Sequence, residues 1–111
     1  MDIESFRNYC LSLPGSSEKM PFEKFFRGKH SFLAFYVNGH MFCFFDIDKF
    51  DRCNIRCSPD RIVQLESTYE AVGRPYNLSP EHWIGVTFDS DMPDDDLKRL
   101  VRQSYEMVLG K

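Results

Sequence analysis

The 111-residue sequence has no long hydrophobic run, no excess of positive charge and no signal-peptide pattern. No apolar stretch approaches the ~18 residues of a membrane span, so we expect no membrane segment. The first five residues are acidic and lack the basic and apolar regions of a secretory signal, which predicts a cytoplasmic protein. The net charge of −3 disfavours a typical basic nucleic-acid module but leaves a local basic face possible.

The sequence also lacks the closely spaced cysteine pairs of zinc sites. Cys53 and Cys57 lie four positions apart on a predicted strand, too far apart to bridge each other, and we interpret them as reduced core residues. Asp46, Asp48 and Asp51 suit a solvated loop better than a cation site, because the loop has no central glycine and no closing glutamate. We predict no metal, no cofactor and no catalytic constellation.

Aromatic side chains, in contrast, are abundant, with 11 phenylalanines. A hydrophobic content of 42% and a charged content of 28% are typical of a soluble globular domain. The length suits one domain with its own core, so we treat residues 1–111 as a single domain.

The segment Ser31–Ile47 predicts a β-hairpin around Asn38-Gly39, because this pair favours a type I′ turn with positive φ at both central residues. The two-residue loop fixes the register, and it places Val37 opposite His40, Phe35 opposite Phe42 and Leu33 opposite Phe44. Both faces of the hairpin are then largely apolar. The second face holds Phe32, Ala34, Tyr36, Met41, Cys43 and Phe45.

The rest of the chain alternates helices and strands. Apolar spacing predicts helices over Asp2–Leu13, over 58–68 and from Pro93 to Gly110, and strands over Arg52–Cys57 and Ile84–Phe88. Ser16–Pro21 is predicted to be a polar loop, and Tyr76 is assigned to a short edge strand. We predict a two-layer α+β fold, an antiparallel sheet of about five strands with three helices on one face, in the order α-β(3)-α-β(2)-α.

Four stretches resemble the MmcQ/YjbR family of small bacterial proteins. They are Ser12-Leu-Pro-Gly15, the hairpin end Met41-Phe-Cys-Phe-Phe-Asp46, the segment 76–83 ending in His82-Trp83, and Pro93-Asp-Asp-Asp-Leu97 with Ser104-Tyr-Glu-Met-Val108. The resemblance implies a fold like that of secretion chaperones, and a DNA-binding label that rests on likeness to double-wing and frataxin-like (CyaY-like) domains. Asn77 departs from the family, which often has histidine there. The resemblance supplies no catalytic residues.

Two sets of residues are candidate contacts for a nucleic acid or another ligand. Lys24, Arg27 and Lys29 surround Phe25-Phe26; this stretch suits either a solvated entry to the hairpin or a phosphate-binding surface. His82-Trp83 suits either a structural plug or a pocket with Trp83 and Tyr76 as flat walls and His82 and Arg74 as polar ends.

The sheet face that the helices leave open is a further candidate surface. We expect Phe32, Tyr36, Met41 and Phe45 on this face, with Arg56 and Thr87 beside them. Aromatic and basic residues together suit stacking on bases, which supports weak DNA binding. They suit a protein partner or a homodimer equally well, and that alternative involves no catalysis.

Overall fold

The computed structural model describes residues 1–20, 31–76 and 78–110. Their helices are α1 (Ile3–Ser12), α2 (Pro59–Thr68) and α3 (Asp94–Leu109). Their strands are β1 (Ser17–Lys19), β2 (Phe32–Val37), β3 (His40–Asp46), β4 (Arg52–Arg56), β5 (Val72–Gly73) and β6 (Trp83–Thr87). No helix in these ranges is long and apolar enough to span a bilayer.

The described strands form one antiparallel sheet in the order β1-β2-β3-β4-β6-β5. The predicted α+β fold is confirmed, with six strands where about five were expected. The prediction of a loop at residues 17–19 was wrong, because β1 forms there. The sequence of β1 is polar, and its pairing with β2 and the Arg7–Glu18 ion pair at 2.6 Å hold it at the sheet edge. The edge strand predicted at Tyr76 lies earlier, at β5.

The helices begin and end where the sequence signals them. The Asp2 carboxylate accepts the Ser5 N–H at 2.8 Å and caps α1. The N-cap position of α2 is Ser58, followed by Pro59, although the Ser58 side chain makes no capping hydrogen bond. Three acidic residues occupy the first turn of α3, where they complement the helix dipole. Each predicted helix is therefore confirmed.

The hairpin contains the predicted turn but also a bulge that shifts its register. Asn38 and Gly39 have φ values of 52° and 76°, as a type I′ turn requires. Val37 pairs with His40 as predicted, but Phe35 pairs with Cys43 instead of Phe42. One extra residue in β3 therefore reverses the orientation of the residues that follow it. The predicted pairs Phe35–Phe42 and Leu33–Phe44 were wrong.

The bulge divides the aromatic residues of the hairpin between two cores. Phe42, Cys43 and Phe45 all join the core under the helices, which includes a T-shaped contact between Phe6 and Phe45 with ring centroids 5.7 Å apart. Phe44 lies on the opposite face instead. The assignments of Phe45 and Cys43 to the open face and of Phe44 to the helix face were therefore wrong. The sequence pattern alone does not mark the extra residue.

The second core lies on the sheet face away from the helices, which we call the open face. It consists of the buried residues Phe32, Ala34, Phe44 and Trp83, with Tyr36, Met41, Tyr76 and Leu78 packed around them. The loop between β5 and β6 supplies Tyr76 and Leu78. The chain therefore covers part of the open face with its own loop.

Candidate functional site

The open face carries a buried row of residues across four adjacent strands. Ala34 lies opposite Phe44, Phe44 opposite Asn54, and Asn54 opposite Gly85. Asn54 is only 2% exposed. It is polar at the centre of an otherwise apolar row, so its amide needs partners within the protein.

Asn54 holds the loop between β5 and β6 against the sheet. Its Oδ1 accepts the backbone N–H of Tyr76 at 2.8 Å, and its Nδ2 lies 3.5 Å from the Phe44 carbonyl oxygen. Gly85 allows the same loop to approach closely, because a Cβ at this position would lie 2.6 Å from the Arg74 carbonyl oxygen. Two positions of the sheet thus fix where Tyr76 lies.

A cleft of about 360 Å³ opens beside this loop at one end of the open face. Phe32, Arg52, Asn54, Tyr76 and Thr87 contribute to its lining. Arg52 and Thr87 lie opposite each other on β4 and β6. The rings of Phe32 and Tyr76 are in contact, with centroids 5.1 Å apart. The cleft therefore combines aromatic, amide, hydroxyl and charged groups.

Four charged residues surround the cleft: Asp46, Lys49, Asp51 and Arg52. The Asp46 Oδ1 accepts the backbone N–H of Asp48 at 2.9 Å and thereby shapes the loop after β3. The Arg52 guanidinium donates one long hydrogen bond, of 3.4 Å, to the Arg74 carbonyl oxygen. Two cations and two carboxylates thus leave the lining without a net formal charge.

The His82-Trp83 pair divides into a buried and an exposed residue. Trp83 is 7% exposed, and its ring packs edge-on against Phe44 with centroids 5.7 Å apart. This burial is what a structural plug requires. His82 is exposed, and its carbonyl oxygen accepts the Cys57 N–H at 2.8 Å. Trp83 and Tyr76 share the open-face core, as expected of neighbours, but the Trp83 ring is not an open wall.

The remaining candidate residues from the sequence lie in different parts of the structure. Arg56 lies opposite Trp83 on the open face and also borders a second cleft, of about 320 Å³, at the start of α2. Arg74 is exposed next to Gly85. Lys24, Arg27, Lys29 and Asn77 lie outside the described residues. Sequence reasoning missed Arg52, Lys19 and Asn54 as site residues; the alternation of Arg52, Asn54 and Arg56 along β4 was a usable signal, whereas nothing in the polar segment of β1 marked Lys19.

Cations on the two faces differ in their partners. On the helix side, Arg99 pairs with Asp96 and Arg102 with Glu106, both at 3.2 Å, and Arg7 pairs with Glu18. On the open face, Lys19 lies over the Tyr36 ring, 5.3 Å from its centroid. Within the ranges that the structure describes, Lys19, Lys49, Arg52, Arg56 and Arg74 have no carboxylate within ion-pair distance. The same holds for two helix-side cations, Arg61, which donates to Gln103, and Lys98, which lies over the Tyr9 ring.

Metal-binding clusters and reactive thiols were sought among the described residues. No group of three or more histidine, cysteine or acidic residues among them is arranged to hold a metal ion. Cys57 borders the second cleft, but burial raises the pKa of its thiol and therefore disfavours the nucleophilic thiolate.

Comparison with known proteins gives consistent matches at the level of sequence family and fold. The family model described as YjbR matches residues 11–107. A crystal structure of the Deinococcus radiodurans protein DR2400, with a DUF419 domain, is 29% identical with a TM-score of 0.86, covering 98% of this chain and 79% of that one. No curated protein matched.

Two structures of a structural-genomics target from Pseudomonas syringae share the fold at lower identity. Its crystal structure is 17% identical with a TM-score of 0.75, and covers 97% of this chain and 99% of that one. Its solution NMR structure is 17% identical with a TM-score of 0.71, covering 97% and 93%.

Proposed function

The chain belongs to the YjbR family, and we propose that it is a weak nucleic-acid-binding module that uses the open face of its sheet. The supporting observation is the distribution of cations without carboxylate partners among the described residues. Lys19, Arg52 and Arg56 project from this face, whereas the arginines of α1 and α3 have carboxylate partners. Cations without such partners are available to phosphates.

The net charge of −3 does not oppose this assignment, because many of the acidic residues lie on the helices. Three consecutive aspartates begin α3, and further acids lie on α1 and α2. A duplex or single strand that approaches the open face meets Lys19, Arg52 and Arg56, with Asp46 and Asp51 beside the cleft, while the acids of the helices lie behind the sheet. We expect modest affinity, since few phosphates are contacted.

Binding of labelled single- and double-stranded DNA, measured by fluorescence anisotropy across a salt series, tests the proposal. The variant Lys19→Gln/Arg52→Gln/Arg56→Gln removes three cations from the open face. The matched control Lys98→Gln/Arg99→Gln/Arg102→Gln removes three cations from α3 on the helix side and changes the net charge equally.

We expect the wild type and the control to bind with affinity that falls steeply with salt. The open-face variant should bind more weakly, and its log–log salt slope should be smaller by roughly one unit for each lost phosphate contact. Absence of DNA binding at low salt, or an equal loss of affinity in the open-face variant and the control, would overturn the proposal.

The alternative of a protein partner or homodimer has less support. Its motivation was the apolar second face of the hairpin, and Phe32, Ala34 and Phe44 on that face are almost completely buried within the chain itself. The exposed large hydrophobic residues in the described ranges are Met20, Val63 and Leu109. Met20 follows β1, Val63 lies on α2 and Leu109 ends α3, so they belong to different parts of the fold. Sedimentation at high concentration tests this alternative, and we expect a monomer.

A further inference from the structure

The cleft beside Tyr76 differs in charge from the rest of the open face. Elsewhere on this face Lys19 and Arg56 are isolated cations, but around the cleft Lys49 and Arg52 are balanced by Asp46 and Asp51. A phosphodiester is best held where cations dominate. A lining that combines hydrogen-bond donors with acceptors instead suits the polar edge of a neutral heterocyclic ring, because such an edge also presents donors and acceptors.

The groups around the cleft match the two chemical parts of a nucleobase. Tyr76 is half-buried, lines the cleft and offers an aromatic surface on which a base can stack. The Arg52 guanidinium can donate to carbonyl and ring-nitrogen acceptors, and the exposed Asp51 carboxylate can accept from exocyclic amino groups. Thr87 adds a hydroxyl that can do either.

The sheet also holds these groups in position before a ligand arrives. Asn54 fixes the backbone of Tyr76 through the 2.8 Å hydrogen bond, and Phe32 packs against its ring. Arg52 and Thr87 lie on paired strands rather than on loops. A site on fixed elements loses less conformational freedom upon binding than a site on loops.

We propose that this cleft binds one unstacked base of a single-stranded nucleic acid, while Lys19 and Arg56, which lie elsewhere on the open face, contact phosphates further along the strand. This inference rests on the proposed function and deepens it, since it assigns a preference for single strands and a place for the base. Bases inside a duplex are stacked and paired, so a duplex cannot fill the cleft without local opening.

The first experiment compares a labelled 12-nucleotide DNA single strand with the same strand carrying abasic sites, by anisotropy at low salt. We expect the natural strand to bind about tenfold more tightly. Tyr76→Leu, checked for folding by urea denaturation, should remove most of this difference. The control Arg56→Gln lies on the same face but does not line the cleft, and should weaken both strands by a similar factor.

Equal binding of natural and abasic strands, or an undiminished difference in Tyr76→Leu, would overturn the base-binding cleft and leave the proposed function standing. If neither strand binds, the proposed function fails. A titration with free adenosine and cytidine then tests separately whether the cleft binds a base. Nucleoside-induced NMR shifts at the Asn54 side-chain amide and the Arg52 Nε–H support the base site, and their absence at millimolar nucleoside overturns it.

Discussion

Replacing Asn54 with leucine is a direct test of how the cleft is built. The two side chains are similar in size, so Asn54→Leu leaves little cavity but removes the acceptor of the Tyr76 N–H. A buried donor left without a partner costs about 1–3 kcal/mol. Single domains are stable by only ~5–15 kcal/mol, so the change removes a sizeable share of the total.

Urea denaturation followed by tryptophan fluorescence measures this loss, because the single tryptophan, Trp83, lies in the same open-face core. With a denaturant dependence of ~1–3 kcal/mol per molar urea, a loss near 2 kcal/mol lowers the midpoint by about 1 M. The control Thr87→Val removes an exposed hydroxyl from the same face and should change stability by less than ~0.5 kcal/mol. Equal midpoints for the two variants would show that the hydrogen bond does not hold the loop.

Three further changes test other parts of the structure. Trp83→Ala should lower the melting temperature sharply, since truncating a buried tryptophan costs ~3–5 kcal/mol, whereas His82→Ala should have a small effect; a wild-type melting curve for Trp83→Ala would mean an exposed ring. Gly85→Ala should destabilise the fold, as seen in urea, because its Cβ would lie 2.6 Å from the Arg74 carbonyl oxygen; unchanged stability would mean that the loop can shift freely. Two backbone N–H groups hold the pKa of Asp91 below its ordinary value, so this residue stabilises the fold at neutral pH and the contribution disappears as the pH falls through the lowered pKa. In Asp91→Asn the free energy of unfolding should therefore fall less steeply as the pH is lowered from neutral. An unchanged pH dependence would contradict this assignment.

The elements that follow from local signals were predictable from the sequence. Asn38-Gly39 specifies its turn through backbone conformation alone, and Ser58-Pro59 marks a helix start without reference to the rest of the fold. The strand β1 was not predictable, because a polar three-residue segment becomes a strand only when β2 offers an edge beside it. Its extended structure is imposed by tertiary contacts, not by propensity.

The candidate site was predicted only in part for a similar reason. The stretch around Tyr76 and Trp83 was identified by its unusual residues, and both lie in the open-face core. Arg52 and Asn54 gained their roles only from the strands and loop that the fold brings beside them. A sequence shows that Asn54 is polar within a strand, but not that the Tyr76 amide lies 2.8 Å away.

The extra residue in β3 has a consequence for how this chain tolerates insertions and deletions. Because Phe42 is the residue that has no partner of its own in β2, its deletion would keep Cys43, Phe44 and Phe45 opposite Phe35, Ala34 and Leu33 and on the faces that they now occupy. The main loss would then be the fully buried ring of Phe42 itself, whereas a deletion after the bulge would turn the residues between the two points to the opposite side. A family member that lacks only this extra residue is therefore expected to carry the same order of inward and outward side chains after it.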